Sequence, residues 1–129
     1  MKLLLDTHVL LWWLEDNPRL RPRVRAIIAD ERNTVMVSAA SFWELSVKAR
    51  KGKIDMSGPS TWRQAVAEGF SILEITDEHL NLFEALPMIA GHGDPFDLLI
   101  LAQAQADEAA LVTADRHMAA YGVRLIGVA

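Results

Sequence analysis

Short apolar runs that favour strands alternate along this chain with segments that favour helices, and this alternation limits the fold more than any other feature. Strand-like sequence recurs at residues 2–6, 34–38, 71–75, 110–113 and 123–128. Apolar residues at helical spacing occupy residues 9–15, 19–30, 41–50, 61–68, 77–86, 96–107 and 115–121. Such an order implies right-handed crossovers, so the sequence predicts an α/β fold: a three-layer α/β/α sandwich around a mainly parallel central sheet.

Length and composition limit the number of domains. A chain of 129 residues that is 51% hydrophobic suffices for one full core, and it holds neither an internal repeat nor a Gly-, Ser- or Pro-rich linker. We therefore expect a single domain over residues 1–129. Apolar runs such as residues 9–14 are far shorter than the roughly 20 residues that span a bilayer, and no export signal is visible, so we expect a cytoplasmic protein without a membrane segment.

The chain contains no cysteine, which excludes disulfides, thiol nucleophiles and cysteine-held metal centres. Any metal site must therefore use oxygen or imidazole ligands. The histidines, His8, His79, His92 and His117, have no paired spacing such as His-x-x-x-His, which argues against a zinc site. For His8 and His92, which lie near the predicted site, we expect loop or capping roles.

Four acidic residues stand just beyond predicted strands. Asp6 closes the first strand, Glu44 lies about one turn into the helix after the second, Asp97 opens the helix at 96–107, and Asp115 follows the fourth strand. Ligands of open parallel sheets bind at the carboxyl ends of the strands, so these side chains are expected to meet. Two carboxylates about 4 Å apart repel by about 4 kcal/mol at an effective dielectric of 20, and a divalent cation removes this cost. Oxygen ligands alone favour a hard ion, Mg²⁺ or Mn²⁺.

Each candidate also has a simpler interpretation. Taken alone, Asp6, Asp97 or Asp115 is typical of a helix N-cap. Asp94 is expected to cap the helix that follows it rather than to bind a metal. Thr113 is predicted to support the site through a hydrogen bond to a carboxylate or a metal-bound water, and a buried strand threonine is the alternative.

Four motifs hold these acids in order along the chain. They are Leu-Leu-Leu-Asp-Thr-His at 3–8, Ser-x-x-Ser-x-Trp-Glu at 38–44, Asp-Pro-Phe-Asp at 94–97 leading into Ile-Leu-Ala-Gln-Ala at 100–104, and Val-Thr-Ala-Asp at 112–115. Together they resemble the PIN-domain family over the whole chain. The resemblance is strongest to the single-domain bacterial members of the VapC kind, which act as toxins of type II toxin–antitoxin pairs.

The resemblance implies a PIN-like fold and a Mg²⁺- or Mn²⁺-dependent ribonuclease that hydrolyses RNA phosphodiesters. By the same resemblance, Asp6, Glu44, Asp97 and Asp115 carry over as metal-binding and catalytic residues, with Asp6 and Asp97 as the first choice for direct ligands. Whether Glu44 and Asp115 bind directly, through water or by orienting the attacking water stays open. Close relatives often carry arginine where this chain has Leu98, so a usual phosphate or acid contact is missing here or supplied elsewhere.

The implied partners are an RNA substrate, an antitoxin that covers the apolar groove near residues 9–14, and a second copy of the chain in a homodimer. Two rival functions use similar acids. A phosphotransfer domain is disfavoured because every lysine lies at or before Lys53 and the first strand lacks an Asp-x-Asp pair. The other rival is a binding module whose acids hold a structural cation without turnover.

Charge is divided unevenly along the chain. Residues 1–64 hold 11 Lys and Arg against 7 Asp and Glu, whereas residues 65–129 hold 2 against 10. Arginines at 19, 21, 23 and 25 are predicted on one basic helix face that either guides RNA phosphates or is simply solvated. Trp12, Trp13 and Trp43 either stack on bases or pack in a core or interface, and we expect at most one of Trp12 and Trp13 to be buried against the sheet.

Overall fold

The computed structural model describes residues 1–128 of the chain. Within them the strands are β1 (Lys2–Leu5), β2 (Thr34–Ser38), β3 (Ser71–Leu73), β4 (Ala110–Thr113) and β5 (Leu125–Gly127). The α-helices are α1 (Thr7–Leu14), α2 (Pro22–Ala29), α3 (Ala39–Arg50), α4 (Gly58–Ala67), α5 (Asp77–Ala85) and α6 (Pro95–Ala106), and a 3₁₀-helix covers Arg116–Tyr121.

The strands form one sheet in the order β3-β2-β1-β4-β5, and every neighbouring pair is parallel. In the register of the central strands, Leu3 lies beside Val35 on one side and Ala110 on the other. The predicted α/β fold with a parallel central sheet is therefore confirmed. Because all strands run the same way, their carboxyl ends share one edge of the sheet, where the residues that follow β1, β2 and β4 come together.

Alternate strand residues pack against opposite helical layers, as the pleat of a strand requires. Leu3 and Leu5 belong to a buried cluster with residues of α1, α2 and α4, whereas Leu4 belongs to a second cluster with α6 and the 3₁₀-helix. Leu4 and Leu111 are fully buried on the second face. These near-continuous apolar strands are typical of a sheet covered on both sides.

Several element boundaries differ from those predicted. The helix expected over 19–30 begins only at Pro22, because proline lacks an N–H and suits the first helical position. Arg19 and Arg21 therefore precede the helix, and Arg19 instead donates its backbone N–H to Asn17 Oδ1 in a turn. The segment after Asp115 is a 3₁₀-helix rather than an α-helix.

None of the helices within residues 1–128 has both the length and the apolar character that are needed to cross a bilayer.

Candidate active site

Asp6 stands at the centre of the carboxyl edge, directly after β1. Its backbone N–H donates to the Val112 carbonyl at 3.0 Å, and its extended backbone places the side chain at the N-terminus of α1. Oδ1 accepts the backbone N–H of His8 at 3.0 Å, and Oδ2 accepts the Thr113 hydroxyl at 2.6 Å. The carboxylate is buried, and both of its oxygens are held in place.

The Thr113 hydroxyl connects two of the acids. While it donates to Asp6, it accepts the backbone N–H of Asp115 at 3.0 Å. The last residue of β4 thus fixes the side chain that follows β1 and the backbone of the turn that carries Asp115. Thr113 makes the hydrogen bond expected of it, and its part in function stays a prediction.

Glu44 is buried within α3 and points toward the start of α1. Its Oε1 accepts the Thr7 hydroxyl at 2.8 Å, and its Oε2 lies 2.9 Å from Lys48 Nζ. Ser41 Oγ lies 3.0 Å from the same Thr7 hydroxyl. Ser38 begins α3 as its N-cap, which sets the turn of the helix on which Glu44 falls. Neither Thr7 nor Lys48 was predicted to contact Glu44, although Lys48 lies four residues after it, at the spacing of a helical ion pair.

Asp97 lies in the first turn of α6, half-buried beside the other acids. Burial raises its pKa, and the negative charges of Asp94, Asp6, Glu44 and Asp115 raise it further, to about 7. Asp97 therefore lies within electrostatic reach of all the acids that the sequence singled out. Asp94 itself caps α6, since its Oδ1 accepts the backbone N–H groups of Phe96 at 2.8 Å and Asp97 at 3.3 Å.

Asp6 and Asp97 differ in their charge state. Burial alone would raise the pKa of Asp6, but hydrogen bonds from His8 and Thr113 outweigh it and leave this pKa below its usual value. The hydrogen bond to Asp6 in turn raises the pKa of His8, against the opposing effect of burial. At neutral pH Asp6 is ionised while Asp97 is only partly so.

The donor set fits a hard divalent cation. Every acid in the cluster offers carboxylate oxygen. Within residues 1–128 the ion-pair partners of these acids are Lys48 at Glu44, His8 at Asp6, and His92 and His117 at Asp115. Burial and the neighbouring carboxylates both raise the pKa of Asp97, so a positive charge beside Asp97 would favour its ionised form. A divalent cation supplies that charge, and oxygen donors are the ligands that Mg²⁺ and Mn²⁺ prefer.

A profile of the PIN domain matches residues 3–123. The chain belongs to the PIN-domain family. It is 34% identical over 116 residues to Ribonuclease VapC22 of Mycobacterium tuberculosis, a match that covers 89% of this chain and 88% of the relative.

Solved structures match this PIN domain over almost its whole length. VapBC2 from Rickettsia felis, bound to a promoter DNA fragment, has a TM-score of 0.74 and 20% identity, with 98% of each chain covered. DNA-bound VapBC from Salmonella typhimurium has a TM-score of 0.68 and 19% identity, covering 100% of this chain and 99% of the other. At these identities the structural likeness establishes the fold.

Leu98, where the resemblance leads one to expect arginine, is half-buried in this PIN domain. It packs against the apolar cluster on the α6 face of the sheet. The position therefore contributes to the core and offers no charge to a phosphate or an acid.

Two histidines contact Asp115, namely His92, which the sequence placed near the site in a loop or capping role, and His117. His92 Nε2 lies 3.3 Å from Asp115 Oδ2, and His117 Nδ1 lies 3.1 Å from Asp115 Oδ1. Asp115 also caps the 3₁₀-helix by accepting the backbone N–H of His117 at 2.9 Å. No short sequence spacing predicts the contact between His92 and Asp115, because His92 comes from the loop before α6. His79 is a buried capping residue of α5, whose Nδ1 accepts the backbone N–H of Thr76 at 3.0 Å.

Neither Trp12 nor Trp13 is fully buried, in keeping with the expectation that at most one would be. Trp12 and Trp13 are both half-buried and both pack against the core cluster under α1. Trp13 contacts the Phe70 ring and donates to Glu68, whereas Trp12 lies beside the His8 ring. Trp43, for which a core or interface position was one alternative, is 64% exposed and is not part of the core.

The arginines at the start of α2 have separate roles. Arg25 is tied into the fold: it donates to the carbonyls of Trp12 and Asn17 at 3.3 and 3.1 Å and pairs with Asp16 at 3.2 Å. Arg19 and Arg21 are exposed and line a cavity of about 380 Å³ together with Trp12 and Ala114. Only part of the predicted basic face is thus free to meet a ligand.

Proposed function

We propose that this PIN domain is a metal-dependent ribonuclease and the toxin of a type II toxin–antitoxin pair, acting as one domain over residues 1–129 in the cytoplasm, where RNA substrates occur. The observation that carries the proposal is the convergence of Asp6, Glu44, Asp97 and Asp115 at the carboxyl edge of the sheet, where burial and the neighbouring charges raise the pKa of Asp97 to about 7. The name of its relative, Ribonuclease VapC22, supports the same activity.

We infer that Asp6 and Asp97 are direct ligands of a Mg²⁺ or Mn²⁺ ion and that Glu44 and Asp115 complete the acidic site. When bound in such a cluster, a divalent ion lowers the pKa of a water molecule and stabilises charge on the scissile phosphate. The chain's own part is to hold the acids in position. Thr113 and the His8 amide orient Asp6, while Thr7 and Lys48 orient Glu44.

RNA must reach a site that repels its phosphates, and the surface beside Asp115 favours this approach. Ala114, next to Asp115, lines the cavity whose other walls include Trp12, Arg19 and Arg21. The Arg19 guanidinium lies 5.9 Å from the centre of the Trp12 ring. Arginines that bind phosphates and an aromatic ring that stacks on a base are the usual components of a single-stranded RNA path.

The RNA path is tested with the double variant Arg19→Ala/Arg21→Ala. We expect weaker RNA binding and a shallower salt dependence, with metal affinity unchanged, in a fluorescence anisotropy titration. Arg32→Ala, which removes an exposed arginine paired with Asp30, is the matched control. Equal binding by the double variant and the control would rule out this path.

Protein partners belong to the same proposal. An antitoxin segment laid along α1 would cover the half-buried side chains of Trp12 and Leu14 and the adjoining cavity, and so block the RNA path.

A homodimer contact is supported by the exposed apolar residues Trp43, Ile75 and Leu80 around a second cavity of about 380 Å³. Light scattering on the purified chain should give twice the 14.3 kDa chain mass.

The test of the activity is cleavage of a labelled RNA panel in Mg²⁺, Mn²⁺ or EDTA. We expect cleavage with either metal, none in EDTA, and a loss of at least about 100-fold in Asp97→Asn and Glu44→Gln. Asp55→Asn, in the exposed loop before α4, controls for loss of a negative charge.

Two outcomes would replace the proposal with its rivals. Metal binding and thermal stabilisation without cleavage of any RNA would identify a cation-stabilised binding module. Turnover of phosphate monoesters with RNA left intact would identify a phosphotransfer domain. Cleavage that neither substitution lowers would refute the assignment of the acids.

A further inference from the structure

One ligand atom from each of His92, Asp115 and His117 lies within 4.8 Å of the others. The Asp115 oxygens are 3.3 Å from His92 Nε2 and 3.1 Å from His117 Nδ1, and the two imidazole rings are 5.4 Å apart, tilted by 51°. Three donors from two separate segments thus converge on one point at the edge of the acidic site.

The surrounding fold holds two of these side chains firmly. His92 is 14% exposed, its ring lies 5.9 Å from the Tyr121 ring, and its backbone forms a bridge with Ile89. Asp115 is fixed by its cap of the 3₁₀-helix. The His117 side chain is 82% exposed, which leaves the point of convergence open to an ion from solvent.

The donor set and its spacing select the kind of ion. Ligands about 2.0–2.1 Å from a tetrahedral zinc ion lie about 3.3 Å from one another. The two nitrogen-to-oxygen distances, 3.3 Å to Asp115 Oδ2 and 3.1 Å to Asp115 Oδ1, are close to this spacing, although each runs to a different oxygen. Imidazole is a poor ligand for Mg²⁺ and a common one for zinc and other divalent transition metals. Two imidazoles and a carboxylate with a free position therefore match zinc better than they match the ion expected among the acids.

We propose that His92, Asp115 and His117 form a second metal site that binds a divalent transition metal, with Zn²⁺ the best-matched ion. Asp115 is shared between this site and the acid cluster. Zinc at the histidines therefore withdraws Asp115 from the acids and competes with Mg²⁺. This competition rests on the proposed ribonuclease function, whereas zinc binding does not.

Calorimetric titration of the metal-free chain with Zn²⁺, in buffer with excess Mg²⁺, tests the site. We expect one Zn²⁺ per chain and at least tenfold weaker binding in His92→Ala and in His117→Ala. His8→Ala removes a histidine that contacts Asp6 and not Asp115, so it should keep the wild-type affinity. Asp97→Asn weakens the proposed Mg²⁺ site, so it should bind Zn²⁺ at least as tightly as the wild type. Co²⁺ in place of Zn²⁺ should give visible absorption that His117→Ala lacks.

The contrary results are distinct. Absence of Zn²⁺ binding to the wild-type chain, or equal loss in His8→Ala, would overturn the proposal and leave His92 and His117 as hydrogen-bonding partners of Asp115. Loss of zinc binding in Asp97→Asn would place the ion among the acids and also overturn it. Because His117 is exposed, its substitution tests the site without disturbing the core, and far-ultraviolet circular dichroism checks each variant.

A second measurement addresses the competition. Added Zn²⁺ should lower RNA cleavage by the wild-type chain in Mg²⁺ and have at least tenfold less effect on His117→Ala. Equal inhibition of both would contradict the sharing of Asp115. If the chain cleaves no RNA at all, the ribonuclease proposal fails, and the calorimetric result still decides whether the zinc site exists.

Discussion

Asp97 makes the stability of the metal-free chain depend on pH. Its pKa of about 7 in the folded state exceeds the ordinary value of 3.8, so ionisation favours the unfolded chain. The stabilisation of the fold by the neutral Asp97 side chain is fully present below about pH 4 and is lost as the pH rises through about 7. After allowance for partial exposure, this loss is about 1–2 kcal/mol.

Asp97→Asn should remove that dependence, because the amide stays neutral. In EDTA, the free energy of unfolding of Asp97→Asn relative to the wild type should rise by about 1–2 kcal/mol between pH 5 and pH 8 in urea titrations. The exposed Asp55→Asn serves as the control, and its difference from the wild type should stay constant. A constant difference for Asp97→Asn as well would refute the crowding of the acids.

Thr113 should position the acids through its single hydroxyl. Thr113→Val keeps the shape of the side chain but removes the hydrogen bonds to Asp6 and from Asp115, so Mg²⁺ affinity should fall about 10- to 100-fold. Thr113→Ser retains both bonds and should restore most of the affinity. Calorimetry with Mg²⁺ measures this directly, and equal affinities of the valine and serine variants would show that the hydroxyl does not matter.

Helix α6 carries Asp97, and its first turn depends on the Asp94 cap. Asp94→Ala removes the acceptor for two backbone N–H groups and should lower the free energy of unfolding by about 1 kcal/mol. Asp94→Ser replaces the acceptor and should recover most of this loss. Urea titration at pH 5, where Asp97 is mostly protonated, separates the cap from charge repulsion. Equal stability of the alanine and serine variants would contradict the capping role.

The elements that sequence predicted best are those with strong local signals. The strands at 34–38 and 110–113 have the predicted bounds because β-branched and apolar residues fill them and turn residues flank them. The predicted start of α2 at residue 19 was wrong. Leu20 continues the helical spacing of apolar residues, but it is buried from a turn that precedes the helix. Local pattern does not distinguish a helical residue from a turn residue that reaches the same core.

The site also has some features that the sequence predicted and others that it did not. The positions of Asp6, Glu44, Asp97 and Asp115 followed from the order of strands and helices, since parallel strands collect their carboxyl ends at one edge. The hydrogen bond from Thr7 to Glu44 and the contact of His92 with Asp115 depend on how separate segments pack, and one sequence holds no signal for that. The Lys48 ion pair is different, because Lys48 follows Glu44 by four residues on the same helix.

Mg²⁺ should stabilise the whole fold, because it binds the acids whose mutual repulsion lowers the free energy of unfolding when no metal is present. At pH 8, Mg²⁺ at about 100 times its dissociation constant should stabilise the wild type by about 2.7 kcal/mol, measured by thermal or urea unfolding. The gain should shrink at pH 5, because binding must then displace the proton on Asp97.

Asp97→Asn should reverse the order of stability that holds without metal. In EDTA at pH 8 the variant is the more stable chain, since it lacks the buried negative charge. In saturating Mg²⁺ the wild type should gain more, because it keeps the carboxylate that we propose as a ligand. The same Mg²⁺ gain in both chains would place the ion away from Asp97. If Asp97→Asn is the more stable chain in EDTA and the wild type is the more stable chain in Mg²⁺, then the Asp97 charge both destabilises the metal-free fold and binds the metal.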